Sequence, residues 1–184
     1  MRWLAEENVI IQTGSKHDGH ACSRRIMEKE DERKSSHSNA RDGKKVHTLA
    51  GRPMMFLVTG EDTKHTSMFD CVLPSSSSIG LHVHRVHEEA FYMLEGECEL
   101  QVGSQLVRAK PGTFVFVPPG VPHSITNASD KPARMLLTIS PPGYEHFFEE
   151  LEKLVTRGGP PDANALAELR SRYDTEQLSA PKAS

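Results

Sequence analysis

Residues 81–96 read LHVHRVHEEAFYMLEG, and the spacing within them decides the fold. His82 and His84 stand two apart, and side chains on a β-strand alternate faces, so both imidazoles leave one face. Glu89 follows a short polar interval, at the head of Ala90, Phe91, Tyr92, Met93 and Leu94, an apolar run suited to a strand. Gly96, beside Glu95, marks a turn after it. Two imidazoles and a carboxylate from one such hairpin meet at a point when both strands turn these faces inward. Nitrogen and oxygen donors of this kind suit a divalent first-row metal.

Residues 112–127, GTFVFVPPGVPHSITN, supply a further donor: an apolar strand, a Pro-Pro-Gly turn, then His123 and Asn127. With these two stretches in hand the chain resembles the cupin superfamily. The first family pattern is G-x5-H-x-H-x3,4-E-x6-G, and His82, His84, Glu89 and Gly96 fit it with four residues before the glutamate. The leading glycine is replaced by Ser76, and the nearby Gly80 is expected to do the turning instead. The second pattern, G-x5-P-x-G-x2-H-x3-N, is met at every position by Gly112, Pro118, Gly120, His123 and Asn127. The resemblance implies an all-β fold, the double-stranded β-helix or jelly-roll barrel, and a metal held by His82, His84, Glu89 and His123.

Composition bounds the rest. At 184 residues the chain fits one domain with extensions, and a hydrophobic content of 36% implies that not all of it is packed. Residues 1–45 carry 10 Lys/Arg against 8 Asp/Glu, and the remainder 12 against 17. Neither part is basic enough for nucleic-acid binding. Cys22, Cys71 and Cys98 have no Cys-x-x-Cys spacing, which argues for a reducing compartment and against a disulfide framework. No run approaches the roughly 18 apolar residues of a membrane span, and acids stand where a signal peptide has its apolar core. A cytoplasmic protein with no membrane partner is expected.

Three segments follow: a charged, largely disordered N-terminal extension over 1–45, a barrel over 46–140, and a helical tail over 141–184. Within the extension, residues 9–11 suffice for one strand at most. Residues 24–45 are nearly all charged and small polar and cannot offset their ordering entropy. His17, His20 and Cys22 lack the fourth ligand and supporting fold of a zinc site. In the barrel, strands are read at 53–58, 67–73, 97–102, 105–109, 114–117, 123–127 and 133–139. Ser75 to Ser78 with Gly80 read as a polar loop, and Gly103-Ser104 as a hairpin turn. Such short strands between Gly/Pro turns indicate a small antiparallel barrel. Tyr144, Phe147, Phe148, Leu151, Leu154 and Val155 form a helical apolar stripe, expected against the outer barrel face or a second subunit, since family members are commonly homodimers. Residues 158–161 end that helix, and Asp162 caps a second one carrying Leu166, Leu169 and Tyr173.

Four ligands leave one or two coordination positions open, which separates a reactive site from a closed structural one. Alternation from Glu89 turns Phe91 and Met93 inward, and from His123 it turns Ile125 and Asn127 inward, so these four form the expected pocket for a small-molecule substrate. Asn127 is also given a structural hydrogen-bonding role. His65, His87 and His146 are read as surface or satisfied histidines and Cys98 as an inert core thiol. The donor set suits Fe(II), manganese, nickel, copper or zinc, with Fe(II) the most usual in similar cupins for oxygen chemistry. Over about residues 46–157 the resemblance is to quercetin 2,3-dioxygenase-like proteins. It implies a dioxygenase acting on a flavonol-, catechol- or diketone-like substrate, with Glu89 both ligand and general base. A non-oxidative isomerase, cyclase or lyase, or a non-catalytic binding protein, are the alternatives, because a fold does not fix a function.

Overall fold

The computed structural model describes residues 10–13, 44–47, 52–155 and 162–179. In order these contain β1 (Ile10–Gln12), β2 (Lys44–His47), β3 (Pro53–Val58), β4 (Ser67–Leu73), β5 (Ser77–Val83) and β6 (Glu88–Glu95). Then come β7 (Cys98–Val102), β8 (Gln105–Ala109), β9 (Phe114–Val117), β10 (His123–Asn127) and β11 (Ala133–Ser140). The tail holds α1 (Glu145–Val155), α2 (Ala163–Arg172) and β12 (Glu176–Gln177). A seven-stranded sheet runs β1-β9-β6-β11-β4-β3-β2 and a five-stranded one β12-β5-β10-β7-β8. Every pairing is antiparallel. This is the jelly roll that the short strands predict.

Burial alternates residue by residue along β10 and β11, as expected for strands with one face on a core. Phe69, Met93, Leu100 and Ile139 are almost wholly shielded from solvent. Removing side chains of this size from water stabilises the fold by roughly 1.5–3 kcal/mol each.

Four features differ from the sequence reading. β5 and β6 lie in different sheets, so residues 81–96 form a corner between layers, not a hairpin. Ser77 to Gly80 are the start of β5, not a loop. The turn before it is made by Ser76 itself, at φ 51°, and not by Gly80. The sheet also gathers β1 from the charged extension, where Ile10 pairs with Phe116, and β2, which starts at Lys44, two residues before the expected barrel boundary, and pairs Val46 with Met54. The disorder expected over most of 1–45, the His17, His20 and Cys22 group and the 158–161 break lie outside the described residues.

α1 does not lie on the outer face. Phe148 packs edge-on to Phe69 with ring centroids 5.1 Å apart, and Tyr144, Phe147, Phe148 and Leu151 line a cavity inside the barrel. The first turn of α1 is anchored by Glu145, which is only 4% exposed. Its carboxylate accepts from the Gly60 amide at 2.7 Å, the Ser67 hydroxyl at 2.6 Å and the Gly143 amide at 2.9 Å. Burial acts to raise its pKa, but these donors outweigh burial and hold it below the usual carboxylate range. α2 begins as expected, with the Asp162 side chain accepting from the Ala165 amide at 3.1 Å.

Two stability changes follow. Ser76 occupies the position that the family pattern gives to glycine, and its left-handed φ costs an L-residue roughly 1–2 kcal/mol. Ser76→Gly is expected to raise unfolding free energy by about 0.5–1 kcal/mol in urea titrations, after the glycine's greater unfolded-state entropy is subtracted. Glu145→Ala strands three donors and should cost about 2–4 kcal/mol at pH 7. Because the folded pKa is lowered, this contribution is complete above the ordinary value of 4.5 and is lost as pH falls through the folded value. The gap between wild type and variant should therefore close on acidification below about pH 4.5.

Candidate metal centre

The corner between the two sheets brings the four sequence-predicted ligands together. His82 sits on β5 and His84 just beyond its end, His123 opens β10 in the same sheet, and Glu89 comes from β6 in the other. All four are buried, and one donor atom from each lies within 4.8 Å of the others. Two donors on opposite sides of one ion stand at most ~4.4 Å apart, so small movements suffice to share one.

The histidines are held in one tautomeric sense. His82 Nδ1 lies 2.8 Å from the Gly80 carbonyl, His84 Nδ1 2.7 Å from the Asp174 carbonyl and His123 Nδ1 3.1 Å from the Val121 carbonyl. A carbonyl oxygen only accepts, so each Nδ1 carries the hydrogen. In a neutral ring the lone pair is then left on Nε2, the nitrogen a metal takes.

These Nε2 atoms meet a carboxylate. His123 Nε2 is 2.8 Å from Glu89 Oε2, and His84 Nε2 is 3.5 Å from Glu89 Oε1. Buried His84 Nε2 has no hydrogen-bond partner. Lone pair would face lone pair across these gaps unless a cation, a proton or a metal ion, lies between them. The titration tendencies have the same cause. Burial acts to raise the Glu89 pKa, but the charge of His84 and the hydrogen bond from His123 overcome it, holding it well below normal. Burial acts to lower the His84 pKa, and the negative charge of nearby Glu89 reverses this to a net rise. His82 is pushed down to about 4, by burial first and then by the charge of His123, so its Nε2 is unprotonated at neutral pH. Three nitrogens and one carboxylate oxygen therefore form a set that fits a divalent metal.

The C-terminal segment supplies the frame. Asp174, at φ 52°, turns its carbonyl onto His84, while its carboxylate accepts from the amides of Arg85, Val86 and His87 at 2.8–2.9 Å. His87 Nδ1 lies 2.9 Å from the same carboxylate, a satisfied histidine outside the donor set. Those amide bonds hold Asp174 to about 2, against the opposing effect of its partial burial. β12 adds a strand beside His82, pairing Gln177 with it. The Tyr144 ring packs on His84, with centroids 5.3 Å apart, and its hydroxyl meets Thr175 Oγ1 at 2.7 Å.

The cavity beside the donors has a volume of about 150 Å³ and is mostly apolar. His82 and Glu89 stand in its wall with Phe91 and Ile125, two of the expected pocket residues. Met93 and Asn127 do not line it. Both point inward, but four residues of strand rise, about 13 Å, carry them past Glu89 and His123 toward the far end of the barrel. Asn127 there ties loops together, donating to the carbonyls of Leu73, Pro74 and Lys131 and accepting from Ser129. His65 and His146 are exposed and Cys98 is buried in the core, as read from the sequence. Tyr144, Asp174, Arg52 and Arg170 were missed, since the first closes the pocket from a stripe read as plain packing and the others belong to no motif.

Comparison with known proteins points the same way as the geometry. Residues 68–139 match the family described as Cupin domain. An uncharacterized protein of Methanocaldococcus jannaschii is 32% identical over 85 residues, 46% of this chain and 67% of that one. Quercetin 2,3-dioxygenase of Bacillus subtilis is 33% identical over 78 residues, 42% of this chain but 23% of that enzyme. The crystal structure of a predicted oxalate decarboxylase from Thermotoga maritima superposes with a TM-score of 0.50 at 26% identity, covering 56% of this chain and 97% of that one. The matched span includes all four donors and the strands β5, β6 and β10 that position them, and the chain belongs to the cupin family.

Proposed function

We propose that this protein is a metal-dependent dioxygenase acting on a small oxygenated organic substrate of the flavonol, catechol or diketone kind. The observation that carries the reading is the convergence of three buried histidines with one buried carboxylate, the Nε2 atoms of His84 and His123 lying 3.5 and 2.8 Å from Glu89. Such a cluster needs a cation, and the apolar cavity alongside offers room for an organic body. Similarity to quercetin 2,3-dioxygenase supports the reaction class, over a span covering 23% of that enzyme.

His82, His84, His123 and Glu89 would hold the metal, with Fe(II) the choice best suited to oxygen chemistry and manganese, nickel, copper or zinc accommodated by the same donors. A bound divalent metal would acidify a coordinating hydroxyl and provide the redox centre for O₂. The remaining work belongs to the chain. Glu89 is held ionised and accepts the substrate hydroxyl proton at a carboxylate oxygen. Phe91, Ile125 and the α1 aromatics exclude water from the reacting face. The Asp174 carbonyl keeps His84 Nε2 turned toward Glu89.

Oxygen-electrode traces on anaerobically purified, Fe(II)-loaded protein should show uptake with at least one of quercetin, catechol and acetylacetone, and none in His84→Ala. Substrate conversion without uptake would point instead to Lewis-acid chemistry, and no conversion of any compound would contradict an enzymatic role. Asp174→Ala removes the acceptor for three amides of the corner and relaxes the backbone that orients His84. Competition titrations with a chelator should show its metal affinity weakened roughly 10- to 100-fold, and an unchanged affinity would refute the positioning role.

A further inference from the structure

Four sulfur side chains stand in one row across the inner face of the seven-stranded sheet. The strand register pairs Met54 on β3 with Cys71 on β4, Cys71 with Met135 on β11, and Met135 with Met93 on β6. Directly opposed residues of antiparallel strands share a face, with Cβ atoms about 4.5–5.5 Å apart. That face is the inner one, because Phe69, two residues from Cys71 on β4, is 0% exposed. Met54, Cys71 and Met135 all line the cavity, while Met93 packs beyond it. The short thiol side chain stands in the middle, and a long, adaptable thioether flanks it on each side. Cys71 is a free cysteine, and its Sγ makes no hydrogen bond among the described residues. This row is separate from the histidine centre. Met93 follows Glu89 by four residues on β6, about 13 Å of strand rise. Nitrogen and oxygen donors therefore face one end of the cavity and sulfur the other.

Thioether and thiolate sulfurs are soft donors, and two thioethers with one thiolate select Cu(I) over harder ions. Zinc draws on cysteine, histidine and carboxylate ligands, of which this row offers one. Burial pushes the Cys71 thiol up, and the negative charges of Asp70 and Glu89 act in the same sense. A bare thiolate is disfavoured there, and an added cation is favoured for the same reason. One singly charged ion with one thiolate is neutral, which suits an apolar wall better than a divalent ion does. We propose that Met54, Cys71 and Met135 form a second metal site, suited to Cu(I), at the end of the cavity away from the histidines. On binding, the Cys71 S–H bond breaks, its proton passes to solvent and the sulfur electron pair bonds the copper, with no change of oxidation state. The site goes beyond the dioxygenase reading and does not depend on it.

The test adds Cu(I), as its acetonitrile complex under argon, to the full chain already loaded with one equivalent of zinc. Zinc occupies the histidines, and its release would report copper going there instead. Competition with bicinchoninate should show one tightly held Cu(I) per chain with zinc retained, and absorption at the copper edge should show a shell of sulfur. Cys71→Ser should weaken that binding at least about 10-fold, as should Met54→Leu and Met135→Leu, two swaps that nearly conserve volume. Should Cys71→Ser melt early, the two leucine variants carry the reading. Met68→Leu, on the outer face of β4, and Cys22→Ser should leave the affinity unchanged. Expulsion of zinc by copper, a shell of nitrogen and oxygen, or no Cu(I) taken from the competitor would overturn the proposal. So would an affinity unchanged in all three variants of the sulfur row, or one lost with Cys22.

Discussion

Three imidazole nitrogens and a carboxylate can share one buried volume only if positive charge lies among them. Here the three rings cannot escape by rotating, since each Nδ1 is tied to a backbone carbonyl. Glu89 stays ionised in the resting site, because the charge of His84 and the hydrogen bond from His123 outweigh its burial. The barrel imposes this geometry by placing the histidines on one sheet and the carboxylate on the other, so that closing the sheets on their apolar faces drives the polar groups together. Core packing thus supplies the free energy that offsets the desolvation of the donors.

The tail makes that arrangement specific to this chain. Asp174 binds the corner that carries the ligands across from β5 to β6, and β12 extends the sheet beside His82. α1 then covers the cavity with aromatic rings instead of resting on the outside of the barrel. Glu145 pins the start of that helix to the Gly60 turn and to Ser67 on β4. Barrel and tail therefore act as one structural unit, in which the C-terminal segment orients a donor and walls the pocket.

The donors were legible in the sequence because metal ligands obey tight spacing and strand alternation converts that spacing into direction. The strand at 67–73 and the caps at Gly96 and Asp162 were legible for the same local reasons. Gly96, at φ 71°, cannot be replaced, since a Cβ there would stand 2.7 Å from the Pro132 carbonyl. What spacing does not encode is which layer a strand joins, so 81–96 read as a hairpin although its halves part into two sheets. Alternation also says which way a side chain points but not how far along the barrel it sits, and Met93 and Asn127 were placed in the pocket on that ground. Asp174 and Arg170 reach the centre through long-range contacts of the tail, for which a single sequence carries no signal.

X-ray absorption at the metal edge, on protein reconstituted with one equivalent of Fe(II) or zinc, addresses the central claim most directly. The account predicts a first shell of three imidazole nitrogens and a carboxylate oxygen at about 2.0–2.2 Å, completed by water, and its collapse when His123 is replaced by alanine. A shell containing sulfur, or one built of water alone, or a spectrum indifferent to the loss of His123 would contradict it.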